Sequence, residues 1–217
     1  MDQEKLNKQS IYWEANFSKK PLMFGLAPSI AALSALKKFE EDNIKEIIEL
    51  GAGLGRDTVF FAENNIKVEA LDYSQTAIKI IDKKAKDNDF SNLVSTKLFD
   101  VRDKLPYKDN SIKGIFSHML YCMALTNAEI KKLNNEILRV LKPGGINIYT
   151  ARNTNDGDYK KGIHRGEDMY ENDGFIINFF SEKKVNSLLE GFKNLSITNF
   201  DEGNFPRKLF LIQNKKL

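Results

Sequence analysis

Nine residues, Glu49-Leu50-Gly51-Ala52-Gly53-Leu54-Gly55-Arg56-Asp57, leave a predicted strand and open a predicted helix. Three alternate glycines permit a sharp backbone turn and a contact-distance ligand approach that any Cβ would block. The helix after them points free N–H groups and a positive dipole end at the same place. A phosphate-binding loop would end Gly-Lys-Ser/Thr, whereas this one ends Gly55-Arg56-Asp57, so that chemistry fails. A dinucleotide fingerprint needs glycine where Arg56 stands, and Asp57 would repel a pyrophosphate. A third candidate carries no phosphate, an adenosine bearing a sulfonium and an amino acid tail, around which acidic residues are favourable. Asp72 ends the next predicted strand, placed for both hydroxyls of a ribose. Asp100 ends the third, placed for the exocyclic amine of adenine, with Val101 offering a backbone N–H to the ring. Glu49 and Asp57 can neighbour the ligand's amino group, directly or through water. The alternative is purely structural: glycines in a tight turn and aspartates capping helices.

These residues need a frame that brings strand ends together. Residues 44–50 read as a buried strand, followed by a helix over about 55–64, a strand over 66–71 and a helix over about 75–87. Strands near 93–99 and 112–117 come next. A helix over about 127–140 is closed by Lys142-Pro143-Gly144-Gly145, where Pro stops the helix and Gly takes the left-handed turn. Another strand runs over about 146–151. Such alternation specifies an α/β fold, a doubly wound, mostly parallel sheet with helices on both faces. Residues 3–13 and 28–39 predict two helices ahead of the first strand. A helix near 181–190 leads to aromatic-rich strands over 193–201 and 206–213, separated by a few residues around Gly203 and Pro206, an antiparallel hairpin on the sheet edge.

The set ELGAGLGRD, LDYS with Asp72, FDV with Asp100, and LKPGG at 141–145 resembles class I S-adenosylmethionine-dependent methyltransferases, over about residues 44–151. The resemblance implies a Rossmann-like, seven-stranded sheet whose last strand is antiparallel, with S-adenosylmethionine as cofactor. It assigns Gly51, Gly53, Asp72, Asp100 and Val101 to that cofactor. Ala52, Tyr73 and Ser117 adjoin those positions and are expected beside it. One single-domain reading follows: N-terminal helices in 1–43, a cofactor-binding core in 44–151, a substrate-covering loop in 152–180, and a C-terminal helix and hairpin in 181–217.

The acceptor is less legible. Base-methylating members of the class carry Asn/Asp-Pro-Pro-Tyr/Phe after the fourth strand, where this chain has Ser117-His118-Met119-Leu120-Tyr121. Ile11-Tyr12-Trp13-Glu14, PLMFGLAPS and Glu202-Gly203…Arg207-Lys208-Leu209-Phe210 are similar to the tellurite-resistance and thiopurine-type group, implying a small acceptor. His118 lies just past the fourth strand, on the edge where open α/β sheets bind ligands. It is a candidate general base or substrate contact, or else a capping, half-buried histidine. Arg152, His164 and Tyr170 flank or lie in a polar stretch too long for a mere connector and could face a substrate, as could Tyr121 and Arg207. Tyr12 and Trp13 either close over the cofactor or staple their helix to the body. Cys122 reads as a small core residue, and Phe175, Phe179 and Phe180 as core or lid packing.

Composition narrows the classes. The chain has 217 residues, 33 basic and 30 acidic for a net charge of +3, with 41% hydrophobic residues, enough for one core. Fifteen Phe and seven Tyr exclude a disordered chain. No apolar run approaches the ~18 residues of a bilayer span, and the polar start is unlike a targeting signal. One Cys and two His leave too few ligands for an internal disulfide or a zinc cluster. Lys-Lys pairs are scattered among acidic neighbours rather than gathered into a stripe, which argues against a nucleic-acid partner. The expectation is a cytoplasmic enzyme, monomeric or homodimeric, methylating a small molecule. Its rivals are a methyltransferase acting on RNA or protein and a non-catalytic cofactor-binding module.

Overall fold

The computed structural model describes residues 3–203 and 207–217. Helices α1 (Gln3–Lys19) and α2 (Ile30–Glu41) precede strand β1 (Glu46–Leu50). There follow α3 (Arg56–Glu63), β2 (Lys67–Asp72), α4 (Gln75–Asp87), β3 (Val94–Leu98), β4 (Ile112–Ser117), α5 (Asn127–Val140) and β5 (Leu141–Arg152). Next come three short strands, β6 (Ile163–Gly166), β7 (Met169–Asn172) and β8 (Phe175–Asn178). Helix α6 (Glu182–Asn186) then leads to β9 (Phe192–Glu202) and β10 (Arg207–Lys216). Among the described residues, no helix is long and apolar enough to cross a membrane.

The main sheet has seven strands in the order β3-β2-β1-β4-β5-β10-β9. Its first five are parallel, and β10 runs antiparallel between β5 and β9. The expected fold is therefore present, with one refinement. The later strand of the hairpin is the inner one, because the apolar run Leu209–Ile212 is buried on both faces, while β9, mostly half-exposed, forms the edge. Pro206 of the expected turn lies outside the described residues.

Helices cover both faces because their apolar stripes are narrow and one-sided. Ala31, Ala32, Ala35 and Phe39 of α2 pack with Phe61 of α3 and Ile81 of α4 against one face. Ile130, Leu133 and Ile137 of α5 pack against the other. Helices α2, α4 and α5 start where a side chain satisfies free N–H groups. Ser29 caps α2, Ser74 caps α4, and Thr126 with Glu129 forms a capping box on α5. Helix α3 has no such side chain. Its cap is Gly55, held at φ 73°, where an added Cβ would lie 2.6 Å from Ile81 Cγ1. Gly55→Ala combines left-handed strain with overpacking and is expected to lower the unfolding free energy by about 2 kcal/mol, read by urea denaturation.

Two expectations are corrected. The stretch after residue 152 is not a plain loop: β6, β7 and β8 form a separate antiparallel sheet. The helix placed at 181–190 is a five-residue turn, α6, capped by Ser181 and ended well before Gly191. Helix α1, by contrast, runs six residues further than expected, to Lys19, carrying Phe17 into an aromatic cluster with Trp13 and Phe24.

Candidate active site

Strand order reverses between β1 and β4, and a crevice must open where the chains leaving these neighbouring strands part to opposite faces. The glycine loop leaves β1 there, and Ser117–Leu120 leaves β4. The two segments touch: a Cβ on Gly51, at φ 69°, would sit 3.0 Å from Leu120 Cδ1. Gly51 and Ala52 both donate backbone N–H bonds to Leu71 O, at 2.8 and 3.1 Å, tying the loop to the end of β2.

A cavity of about 570 Å³ occupies this crevice, within the size range of small-molecule sites. Its floor carries the expected Glu49, Gly51, Ala52, Gly53, Asp57, Asp72 and Tyr73. Asp72 is 6% exposed; Gly53 N–H donates to its Oδ2 (2.8 Å) and Ser74 N–H to its Oδ1 (2.9 Å). Burial pushes its carboxyl up to about 6, against the pull of those two donors. Glu49, buried beneath the loop, accepts from the Thr58 hydroxyl. Burial first, and Asp57 second, push its carboxyl well above the ordinary range. Asp57 accepts the backbone N–H and the hydroxyl of Ser29, both at 2.8 Å, so it also fixes the approach to α2. Glu49 and Asp72 thus take hydrogen bonds from neutral groups alone. Buried acids so arranged suit a ligand cation and oppose a phosphate. Carboxylate acceptors are what the ribose hydroxyls and ammonium tail of an adenosyl sulfonium require.

Helix α1 roofs the cavity. Trp13 and Phe17 line it together with Met23 and Phe24. Tyr12 points elsewhere: its hydroxyl donates to Asp173 O at 2.6 Å and its ring meets Phe175 edge-on at 4.7 Å. It is a staple rather than a wall. The helix is also held by Glu14, whose carboxylate accepts from both hydroxyls of Ser74 and Thr76 and from Thr76 N–H, at the start of α4. Asp100 and Val101 border an adjoining small pocket that shares Trp13, Tyr73, Leu120 and Met123 with the main cavity. Burial would raise the Asp100 carboxyl, but the Arg102 guanidinium, donating at 2.6–3.1 Å, holds it below its ordinary value.

At the far end stand His118, Met119, Met123, Glu202 and Arg207. Met119 sits at φ 59°, strained for a side-chain-bearing residue, and donates its N–H to Thr150 Oγ1 at 2.7 Å. That turn aims His118 into the cavity. Its Nδ1 lies 3.1 Å from Thr150 Oγ1 and its Nε2 3.4 Å from Glu202 Oε2. Glu202 Oε1 accepts from Arg56 Nη2 at 2.8 Å. Burial would raise the Glu202 carboxyl, but His118 and Arg56 outweigh it and hold it down at about 2.

Other expected positions are not brought to the cavity. Ser117 is wholly buried in β4. Tyr121 is wholly buried too, stacked on Tyr149 at 4.0 Å, with its hydroxyl 3.4 Å from Asn134. Arg152 is consumed by Asp156 and Asp158. His164 faces Glu167 O at 2.9 Å on β6, and Tyr170 packs on Tyr159 and Phe179. Thr150 is a contributor that sequence reasoning missed, and Glu14 and Glu202, singled out there only for a family resemblance, were given no contact. Their partners lie 32, 60 and 84 residues away, beyond any local pattern.

Fold and site together define a class. Residues 47–145 match the family described as a methyltransferase domain. The chain belongs to the class I S-adenosylmethionine-dependent methyltransferases, whose cofactor is S-adenosylmethionine. Among particular relatives, a phosphoethanolamine N-methyltransferase of Zea mays is 34% identical over 156 residues, 67% of this chain and 30% of that protein. A second, of Triticum aestivum, is 34% identical over 122 residues, 55% of this chain and 24% of that protein. The chain spans less than a third of the length of these curated relatives. In fold it is similar to the Burkholderia thailandensis 1,6-didemethyltoxoflavin-N1-methyltransferase, solved with 1,6-didemethyltoxoflavin and S-adenosylhomocysteine bound. The TM-score is 0.77 at 14% identity, covering 100% of this chain and 90% of that one.

Proposed function

We propose that this protein transfers a methyl group from S-adenosylmethionine to a small molecule. The observation that carries the reading is one continuous cavity. It joins a glycine loop backed by buried acids to an acceptor end walled by His118, Glu202, Arg207 and two methionines. The cofactor supplies an electrophilic methyl carbon on a sulfonium, displaced in line by the acceptor. Positioning supplies several kcal/mol of the barrier reduction, and since charge is dispersed rather than created, no oxyanion hole is required.

Asp72 takes the ribose hydroxyls, Glu49 the amino end, and Trp13 covers the cofactor. Asp100 and Val101 read the adenine. His118 faces the acceptor and receives its proton when the acceptor is an amine or a hydroxyl; a thiolate needs no base. A cavity roofed by α1 and closed by the β9–β10 hairpin favours a small acceptor over RNA or a folded protein. The names of the Zea mays and Burkholderia relatives agree with an acceptor of that size and favour nitrogen.

The test is calorimetric titration with S-adenosylmethionine and S-adenosylhomocysteine, followed by transfer of labelled methyl to small amines, thiols and hydroxyl compounds, with RNA and protein in parallel. Micromolar binding and label in a small acceptor are expected. No binding at millimolar cofactor would sink the reading, and label confined to macromolecules would favour the rival.

A further inference from the structure

Four elements of the sheet's carboxyl edge contribute to one chain of polar contacts that no sequence motif announces. Arg56 opens α3 directly after the glycine loop, Glu202 ends β9, His118 follows β4, and Thr150 lies near the end of β5. Arg56 is itself anchored, its Nη1 donating to Phe24 O at 3.1 Å. Glu202 and Arg56 side chains are each 18% exposed and His118 is 11% exposed, so solvent screens these contacts weakly. One atom stands out. Glu202 Oε2 is buried and accepts no hydrogen bond among the described residues, its nearest donor site being His118 Nε2 at 3.4 Å. A buried carboxylate oxygen left in that condition invites a positive charge.

Thr150 Oγ1 takes the Met119 N–H with one lone pair and has a second for a proton on His118 Nδ1. With the neutral ring's proton on Nδ1, the Nε2 lone pair faces the Glu202 carboxylate. A lone pair so placed is repelled by the anion, and protonation turns repulsion into attraction. We propose that Glu202, braced by Arg56, is the positioning residue that supplies the counter-charge to His118 when Nε2 accepts a proton. The inference rests on the methyl-transfer reading for its use. As the acceptor X–H forms its bond to the methyl carbon, the carbon–sulfur pair stays on sulfur as a thioether. The X–H proton moves to His118 Nε2, and the imidazolium is neutralised by Glu202. The other charged groups facing the cavity are Arg207, Glu49, Asp57 and Asp72. The last three are on the cofactor floor and Arg207 opposes a cation, so Glu202 is the counter-charge at this end.

Only two histidines exist in the chain, so imidazole nitrogen resonances separate cleanly, and His164 on β6 serves as an internal control. With Glu202→Gln, the ratio of doubly to singly protonated His118 ring at fixed pH near 6.5 is expected to fall about fivefold, the size of a weakly screened ion pair. His164 is expected to stay unchanged. Glu202→Asp, which keeps the charge, is expected to hold the ratio nearer the wild-type value, and it serves as the second variant should the glutamine form fail to fold. In turnover, the limb of kcat/KM that rises with pH is expected to move to lower pH in Glu202→Gln. An unchanged ring ratio in Glu202→Gln overturns the assignment, whether or not the protein transfers methyl groups. A lowered ratio in a protein that binds no cofactor leaves the pair standing and overturns the function proposed above.

Discussion

Asp72→Ala is expected to weaken S-adenosylhomocysteine binding about a hundredfold while leaving the protein folded. The proposed contact is a ribose diol donating two hydrogen bonds to one ionised carboxylate, each worth about 1.5 kcal/mol net, and 3 kcal/mol is about a hundredfold in affinity. Folding is expected to survive because the carboxylate is itself an uncomfortable group: burial raises it to about 6 from 3.8. For an acid raised on folding, the native state holds its proton longer than the unfolded chain. Stability from this group is therefore full below about pH 3.8 and falls as pH rises through about 6, by up to about 3 kcal/mol. Removing the charge gives part of that back, offsetting the loss of acceptors for Gly53 N–H and Ser74 N–H. The same titration governs ligand binding. Below about pH 6 the free protein protonates Asp72, and the ribose must then displace a proton. Calorimetry at pH 5 and 7.5 is expected to show weaker binding and greater proton release at the lower pH, with both differences reduced in Asp72→Ala. Equal affinity of wild type and variant at pH 7.5 would remove Asp72 from the site.

The parallel half of the fold was legible because its signals are local. A strand such as Glu46–Leu50 is buried over its last four residues and reads as a short apolar run; α4 and α5 carry one-sided stripes and side-chain caps. The β6–β8 sheet was not legible. Its strands are four residues long, and Ile163–Gly166 is exposed to half-buried throughout, so no period of two rises above its polar surroundings. What holds this sheet is distant: Gln9 of α1 donates to Gly174 O at 2.9 Å and accepts from Ile176 N–H at 3.2 Å, and Phe175 packs on Trp13 at 4.9 Å.

The same division runs through the site. The floor could be read because glycines, buried acids and strand ends follow one another within about 25 residues, Glu49 to Tyr73. The acceptor end could not, because it is assembled from β4, β5, β9 and α3, and type alone does not reveal which way a side chain turns. Ser117 and His118 are adjacent, yet one is sealed in the sheet and the other lines the cavity. Tyr121, three residues on, turns inward because a stacked neighbour, Tyr149, waits on β5. Chemical type suggested substrate contacts at Tyr121 and Arg152; packing decided otherwise.

Arg152 gives the second large expected effect, on stability rather than binding. Its side chain is 5% exposed, with Nε donating to Asp156 Oδ2 at 3.0 Å and Nη2 to Asp158 Oδ2 at 2.6 Å, and its guanidinium lies 5.2 Å from the Phe179 ring centre. Burial alone would lower the Arg152 pKa, but the two carboxylates outweigh it and raise it. Asp156 also accepts from Asp158 N–H and Lys208 N–H, at 2.9 and 2.8 Å, so the ion pair pins the turn after β5 to the start of β10. Arg152→Ala leaves Asp156, 2% exposed, without its counter-charge, and about 3–5 kcal/mol of unfolding free energy is expected to be lost. That is a large share of the roughly 5–15 kcal/mol that holds a domain folded. Adding Asp156→Asn to Arg152→Ala is expected to recover part of the loss, because the stranded charge goes with it. Arg152→Lys is expected to be destabilising as well, since an ammonium cannot reproduce the forked contact with Asp156 while reaching Asp158. Urea denaturation of the three variants decides between a structural and a substrate role. A substrate-binding arginine would leave the unfolding midpoint near wild type and weaken only the acceptor. The turn also joins the main sheet to the β6–β8 sheet, since Phe180 N–H donates to Arg152 O at 2.8 Å. Loss of the ion pair is therefore expected to speed hydrogen exchange in residues 163–178 before it unfolds strands β1 to β4, which share none of these contacts.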